Sequence, residues 1–84
     1  MKSASFSVGT EAVQIVASSV SAQDVYVHVE GNGTVYVGGA TVTTATGLPT
    51  QKHTTPINFF VPRGNELWAI ATTTQDVRVM TEGA

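Results

Sequence analysis

Asp24-Val25-Tyr26-Val27-His28-Val29-Glu30-Gly31-Asn32-Gly33-Thr34-Val35-Tyr36-Val37-Gly38 decides the fold class. Val25, Val27 and Val29 alternate with Tyr26, His28 and Glu30, and Val35 and Val37 alternate with Thr34 and Tyr36. Successive side chains of a strand point to opposite faces, so this period of two marks strands with one buried side. Gly31-Asn32-Gly33 between the runs reads as a hairpin turn, and register selects its length. Opposed residues of an antiparallel pair share a face. A two-residue Asn32-Gly33 loop would oppose Val29 to Tyr36 and mix the faces. A three-residue loop opposes Val29 to Val35, Val27 to Val37 and His28 to Tyr36. That predicts a type I turn with a G1 bulge and Gly33 at positive φ.

The same grammar extends in both directions. Upstream, Phe6 and Val8 mark a short strand, Gly9-Thr10-Glu11 a turn, and Val13 and Ile15 about Gln14 a second strand. Downstream, residues 40–56 are rich in Thr, contain Gly47, Pro49 and Pro56, and read as a long connection in which Val42 anchors at most a short strand. Ile57–Val61, Leu67–Ala71 and Val77–Met80 read as three strands, separated by turns at Pro62-Arg63-Gly64-Asn65 and Thr72–Asp76. No stretch carries a helical period. The expectation is a single all-β domain over 1–84, a small antiparallel β-sandwich or barrel-like meander of short strands. Residues 1–22 form N-terminal strands or an arm, and 23–81 form a β core with the Thr-rich loop 40–56.

The chain has 84 residues and no cysteine. At this length only about 60–65% of the unfolded surface is buried, and small folds often add a staple. Disulfides are excluded, and a structural zinc site lacks its usual thiolates. Association with copies of itself or with a larger partner remains. The net charge is −2 and the charged fraction 12%, about half the usual ~25%. Lys2, Lys52, Arg63 and Arg78 are scattered, which argues against nucleic acid. No apolar run approaches the ~20 residues of a membrane span, and the first twenty residues hold no secretory leader.

Nothing in the chain assembles an obvious reaction centre. The acids Glu11, Asp24, Glu30, Glu66, Asp76 and Glu82 fall mostly at turns and strand ends. His28 and His53, on a strand and a loop, would have to converge with a carboxylate to hold a metal. No G-x-S-x-G elbow and no phosphate-binding loop is present. The expectation is therefore no catalytic residue, no cofactor and no metal.

The informative feature is apolar. If the last three strands form a meander, one face carries Phe59, Val61, Leu67, Ala69, Val77 and Val79. The other carries Phe60, Trp68, Ile70 and Met80. A half-exposed sheet is apolar on one side only. Either the N-terminal strands or the 40–56 loop cover the second face, or Phe60, Trp68, Ile70 and Met80 form a protein interface. Tyr26, His28 and Tyr36, on one face of the first hairpin, form a candidate surface-binding patch.

Val35-Tyr36-Val37-Gly38-Gly39, Val42-Thr43, Gly47-Leu48-Pro49, Gly64-Asn65-Glu66-Leu67-Trp68-Ala69-Ile70 and Asp76-Val77-Arg78-Val79 together resemble small β-rich minor capsid or head-decoration proteins of tailed bacteriophages. The resemblance spans roughly residues 23–81. It implies a non-enzymatic virion structural protein, assembled in the host cytoplasm. Such a subunit binds and cements the major capsid protein lattice as a homo-oligomer, with a trimer favoured. The alternative is a carbohydrate- or host-surface-binding module of a phage tail or fibre. A small hydrolase is a third, weaker reading, because no acid–base constellation supports it.

Overall fold

The computed structural model describes residues 2–52 and 57–83; His53 and Pro56 lie outside them. Eight strands follow one another: β1 (Lys2–Val8), β2 (Val13–Val16), β3 (Gln23–Val29), β4 (Val35–Gly38), β5 (Leu48–Thr50), β6 (Ile57–Val61), β7 (Leu67–Ala71) and β8 (Gln75–Gly83). They form two antiparallel four-stranded sheets, ordered β1-β8-β3-β6 and β2-β7-β4-β5. The expected all-β sandwich is what the chain builds, and no helix occurs among the described residues.

Valine dictates the core. Its branched Cβ suits extended backbone, and Val8, Val25, Val27, Val29, Val35 and Val77 are fully buried between the sheets. Ala69 and Ala71 line the inner side of β7, and Phe6, Phe59 and Leu67 pack around the margin. The residues read as one inward set, Phe59 to Val79, all face this core. They do so from two sheets rather than one.

The strand order is that of a jelly roll. The whole chain behaves as one long antiparallel ribbon that is then rolled up. Lys2 lies opposite Thr81, Val13 opposite Ala69, Gln23 opposite Val61, and Val35 opposite Thr50. Each step forward along the first half is matched by a step back along the second. Rolling the ribbon adds the β3–β8 and β4–β7 ladders. Every connection except β4–β5 therefore crosses from one sheet to the other.

The ribbon stays paired through its corners. Ala71 N–H donates to Gly9 O at 2.8 Å, and Gly64 N–H to Ser19 O at 2.8 Å. At the third corner Gln51 Nε2 donates to Thr34 Oγ1 at 3.0 Å.

Two expectations fail here. β3 and β4 are not a hairpin: Val29 lies opposite Val77, and Val35 opposite Ala71. Residues 30–34 instead carry the chain between sheets. Glu30 N–H donates to Asp76 O at 2.8 Å, and Gly33 N–H to Gln75 Oε1 at 3.0 Å. Nor is Gly33 at positive φ; among the described residues Gly64 alone is, at +82°. Gly31 and Gly33 are glycines for lack of room. A Cβ on Gly31 would fall 2.0 Å from Gln75 Oε1, and one on Gly33 2.4 Å from Gln75 Nε2.

The meander fails as well. β6 pairs with β3, β7 with β2 and β4, and β8 with β1 and β3. The Pro62–Asn65 turn is real, closed by Asn65 N–H to Pro62 O at 3.1 Å with Gly64 at the third position of a type II turn. It joins the two sheets. Residues 40–52 are more ordered than a long connection: β5 occupies Leu48–Thr50. Residues 43–47 close on themselves through Gly47 N–H to Thr43 O at 2.8 Å and paired Thr43–Thr46 hydroxyls. Val42 belongs to no strand and is 7% exposed.

Candidate functional site

Chemistry at the surface is set by what each sheet turns outward. On the outer side of the β1-β8-β3-β6 sheet, cross-strand register lays out two rows. Ser5, Arg78 and His28 form one; Ser3, Met80, Tyr26 and Asn58 form the other. Between them runs a groove of about 350 Å³, lined by Ser3, Ser5, Tyr26, His28, Arg78 and Met80. Two of its polar side chains are paired locally. His28 Nδ1 pairs with Glu30 Oε2, and Arg78 reaches Asp76 at 3.4 Å. Phe60, 65% exposed, lies beside Asp24 near the β6 edge.

A serine and a histidine share this face, but not as nucleophile and base. Ser5 sits on β1 and His28 on β3 with β8 between them, so two strand spacings, roughly 9–10 Å, separate their backbones. General-base catalysis needs hydrogen-bond reach. Among the described residues no three His, Asp or Glu side chains gather as a metal-binding group.

The outer side of the β2-β7-β4-β5 sheet is different in kind. Trp68 lies between Gln14 and Gly38, and Ile70 beside Tyr36, which in turn lies beside Pro49. Trp68 Nε1 donates to Glu66 Oε1 at 2.6 Å, a charge-assisted bond that fixes the indole. Val42 folds over one end of this face: a Cβ on Gly38 would meet Val42 Cγ2 at 2.9 Å, and one on Gly47 would meet Tyr36 Cβ at 2.6 Å. The loop thus covers part of the face, and Trp68, Ile70 and Tyr36 stay half-buried, with Leu48, opposite core-facing Val37, 59% exposed at the β5 edge.

The expected groupings are corrected accordingly. Phe60, Trp68, Ile70 and Met80 all point outward, but Phe60 and Met80 leave one side of the sandwich and Trp68 and Ile70 the other. The Tyr26, His28 and Tyr36 patch is split the same way, because β3 and β4 lie in different sheets. His28 faces Arg78 across the ladder, not Tyr36. Alternation sets which way each of these side chains points, and the crossovers set which of them are neighbours. The Gly38 and Gly47 pair about Val42 is the sequence signal for loop coverage. Comparison with known protein families, with characterised proteins and with solved structures finds no match.

Proposed function

We propose that this chain is a non-enzymatic structural subunit of a phage virion, a capsid decoration or minor capsid protein that binds the major capsid protein. The observation that carries it is the outer face of the β2-β7-β4-β5 sheet. Trp68, Ile70, Tyr36 and Pro49 stand on it, and its acid Glu66 is spent holding the indole. Aromatic and aliphatic side chains of this kind are enriched at the centres of protein contacts, where charge is depleted. The phage resemblance supports the reading, since it includes Tyr36 and the Glu66–Ile70 run. Jelly rolls serve viral capsids and lectins alike, so the face and not the fold carries the argument.

Mass spectrometry of purified virions should find the chain as a multi-copy component. Trp68→Ala should weaken rebinding to heads stripped of the subunit by at least about tenfold. It should lower the melting temperature less than loss of a core residue would, because a half-buried Trp forfeits less than the ~3–5 kcal/mol of a fully buried one. Loss of folding with unchanged binding by the folded fraction would make Trp68 a core residue and remove the proposal's support.

The groove on the other sheet favours a second reading, a carbohydrate-binding module of a tail or fibre. Tyr26 offers an aromatic surface there beside Met80, and His28, Arg78 and the Ser3 and Ser5 hydroxyls offer hydrogen bonds. Saturable glycan binding, abolished by Tyr26→Ala and indifferent to Trp68→Ala, would select it.

A further inference from the structure

The edge of a β-sheet presents a row of unpaired N–H and C=O groups, and chains that remain single guard it with bulges, prolines, charges or brevity. This sandwich has four edges: β1 and β6 in one sheet, β2 and β5 in the other. The pairing of β2 shifts register between Gln14 and Val16. β5 is three residues long with Pro49 at its centre. β1 begins at Lys2 and turns Ser3, Ser5 and Ser7 outward. Among the described residues β6, Ile57-Asn58-Phe59-Phe60-Val61, has no such guard: no proline or charge within the strand, and an unbroken ladder to β3. It is also incompletely covered. Ile57 and Phe59 face the core yet are only half-buried, and Phe60 is 65% exposed.

We infer that β6 is a self-pairing edge, through which two copies of this chain join antiparallel about a local twofold axis at Phe59. The strand dictates this register. With Phe59 opposite its own counterpart, Ile57 meets the second copy's Val61, and Asn58 meets the second copy's Phe60. Opposed residues share a face, so core-facing side chains meet core-facing ones and the half-buried Ile57 and Phe59 become covered. A slip of one residue would set core-facing against solvent-facing side chains. A slip of two would shorten the ladder. Each β6–β6 contact extends a four-stranded sheet to eight strands. With five residues a side it belongs to the small, weak class of interfaces, below about 1,200 Å². This inference does not rest on the capsid reading.

Sedimentation velocity from about ten micromolar to about one millimolar spans the affinities such a contact allows. The wild-type chain should shift from monomer towards dimer over that range. Phe60→Lys, which installs the missing guard at an exposed position, should remain monomeric with an unchanged far-UV spectrum. Because the chain has no cysteine, Asn58→Cys and Phe60→Cys each carry a single thiol. Mixed and oxidised, these two variants should form a disulfide-linked heterodimer. Each alone should stay reduced, because like positions lie diagonally, about 7–8 Å apart, beyond the ~3.5–4.5 Å that a disulfide spans between Cβ atoms. Cross-linking decides the matter if Phe60→Lys fails to fold. A wild-type monomer throughout, a trimer, or equal cross-linking of each variant alone overturns the twofold pairing.

Discussion

Gln75→Ala is expected to lower the stability of the domain by about 2–3 kcal/mol, the largest effect of any polar substitution in the chain. Gln75 is 7% exposed. Its Oε1 accepts from Gly33 N–H at 3.0 Å and its Nε2 donates to Thr73 Oγ1 at 2.8 Å. One amide therefore ties the β3–β4 crossing to the β7–β8 crossing. Truncation leaves the Gly33 donor without its acceptor and empties the space between Gly31 and Gly33. In a domain of this size the loss is about 10–20 °C in melting temperature. Gly31→Ala provides the internal check, because its Cβ would collide with the same Oε1. In the Gln75→Ala background that collision is gone. The double-mutant cycle should show about 1–2 kcal/mol of coupling, and strict additivity would disprove the packing described.

Val27→Ala should cost a similar amount, about 2–3 kcal/mol, through a different cause. Val27 is wholly buried on β3, flanked by Val79 on one side and Ile57 on the other. Removing two methyl groups forfeits about 0.8 kcal/mol each in transfer free energy, and the cavity adds the rest. Ser5→Ala, on the outer face of β1, should stay within about 0.5 kcal/mol. Chemical denaturation of both variants measures the contrast. A small loss for Val27 would mean that β3 turns its other face inward.

The contrast between face and neighbour also explains what the sequence does and does not make legible. Alternation specifies which side of a strand is buried, and the valines of 25–29 and 35–37 satisfy that rule in a hairpin and in a crossing between sheets alike. Gly31-Asn32-Gly33 suits both. Glycine is chosen in turns for positive φ, and here for the absence of a side chain beside Gln75, forty-two residues away from Gly33. No local pattern distinguishes the two causes. The Pro62–Asn65 turn was legible because its chemistry is contained within four residues. The candidate site divides along the same line. Trp68, Ile70, Phe60 and Met80 were each readable as outward-facing, whereas their separation onto opposite sides follows from β7 joining β4 and β2 instead of β6. Ladders such as Lys2 with Thr81 depend on the two halves of the chain finding each other, and nothing short-range records that.

Lys2 and Thr81 also meet at the open end of the β1–β8 ladder, whose far end is Val8 with Gln75. Tension entering through these two residues acts across the first rung, then the next, as a zip opens from its tab. Bonds loaded singly yield in succession, whereas bonds loaded together along a strand share the strain. A ladder of this orientation peels readily when tugged through Lys2 and Thr81, so an attachment meant to bear mechanical load is better made through the sheet faces.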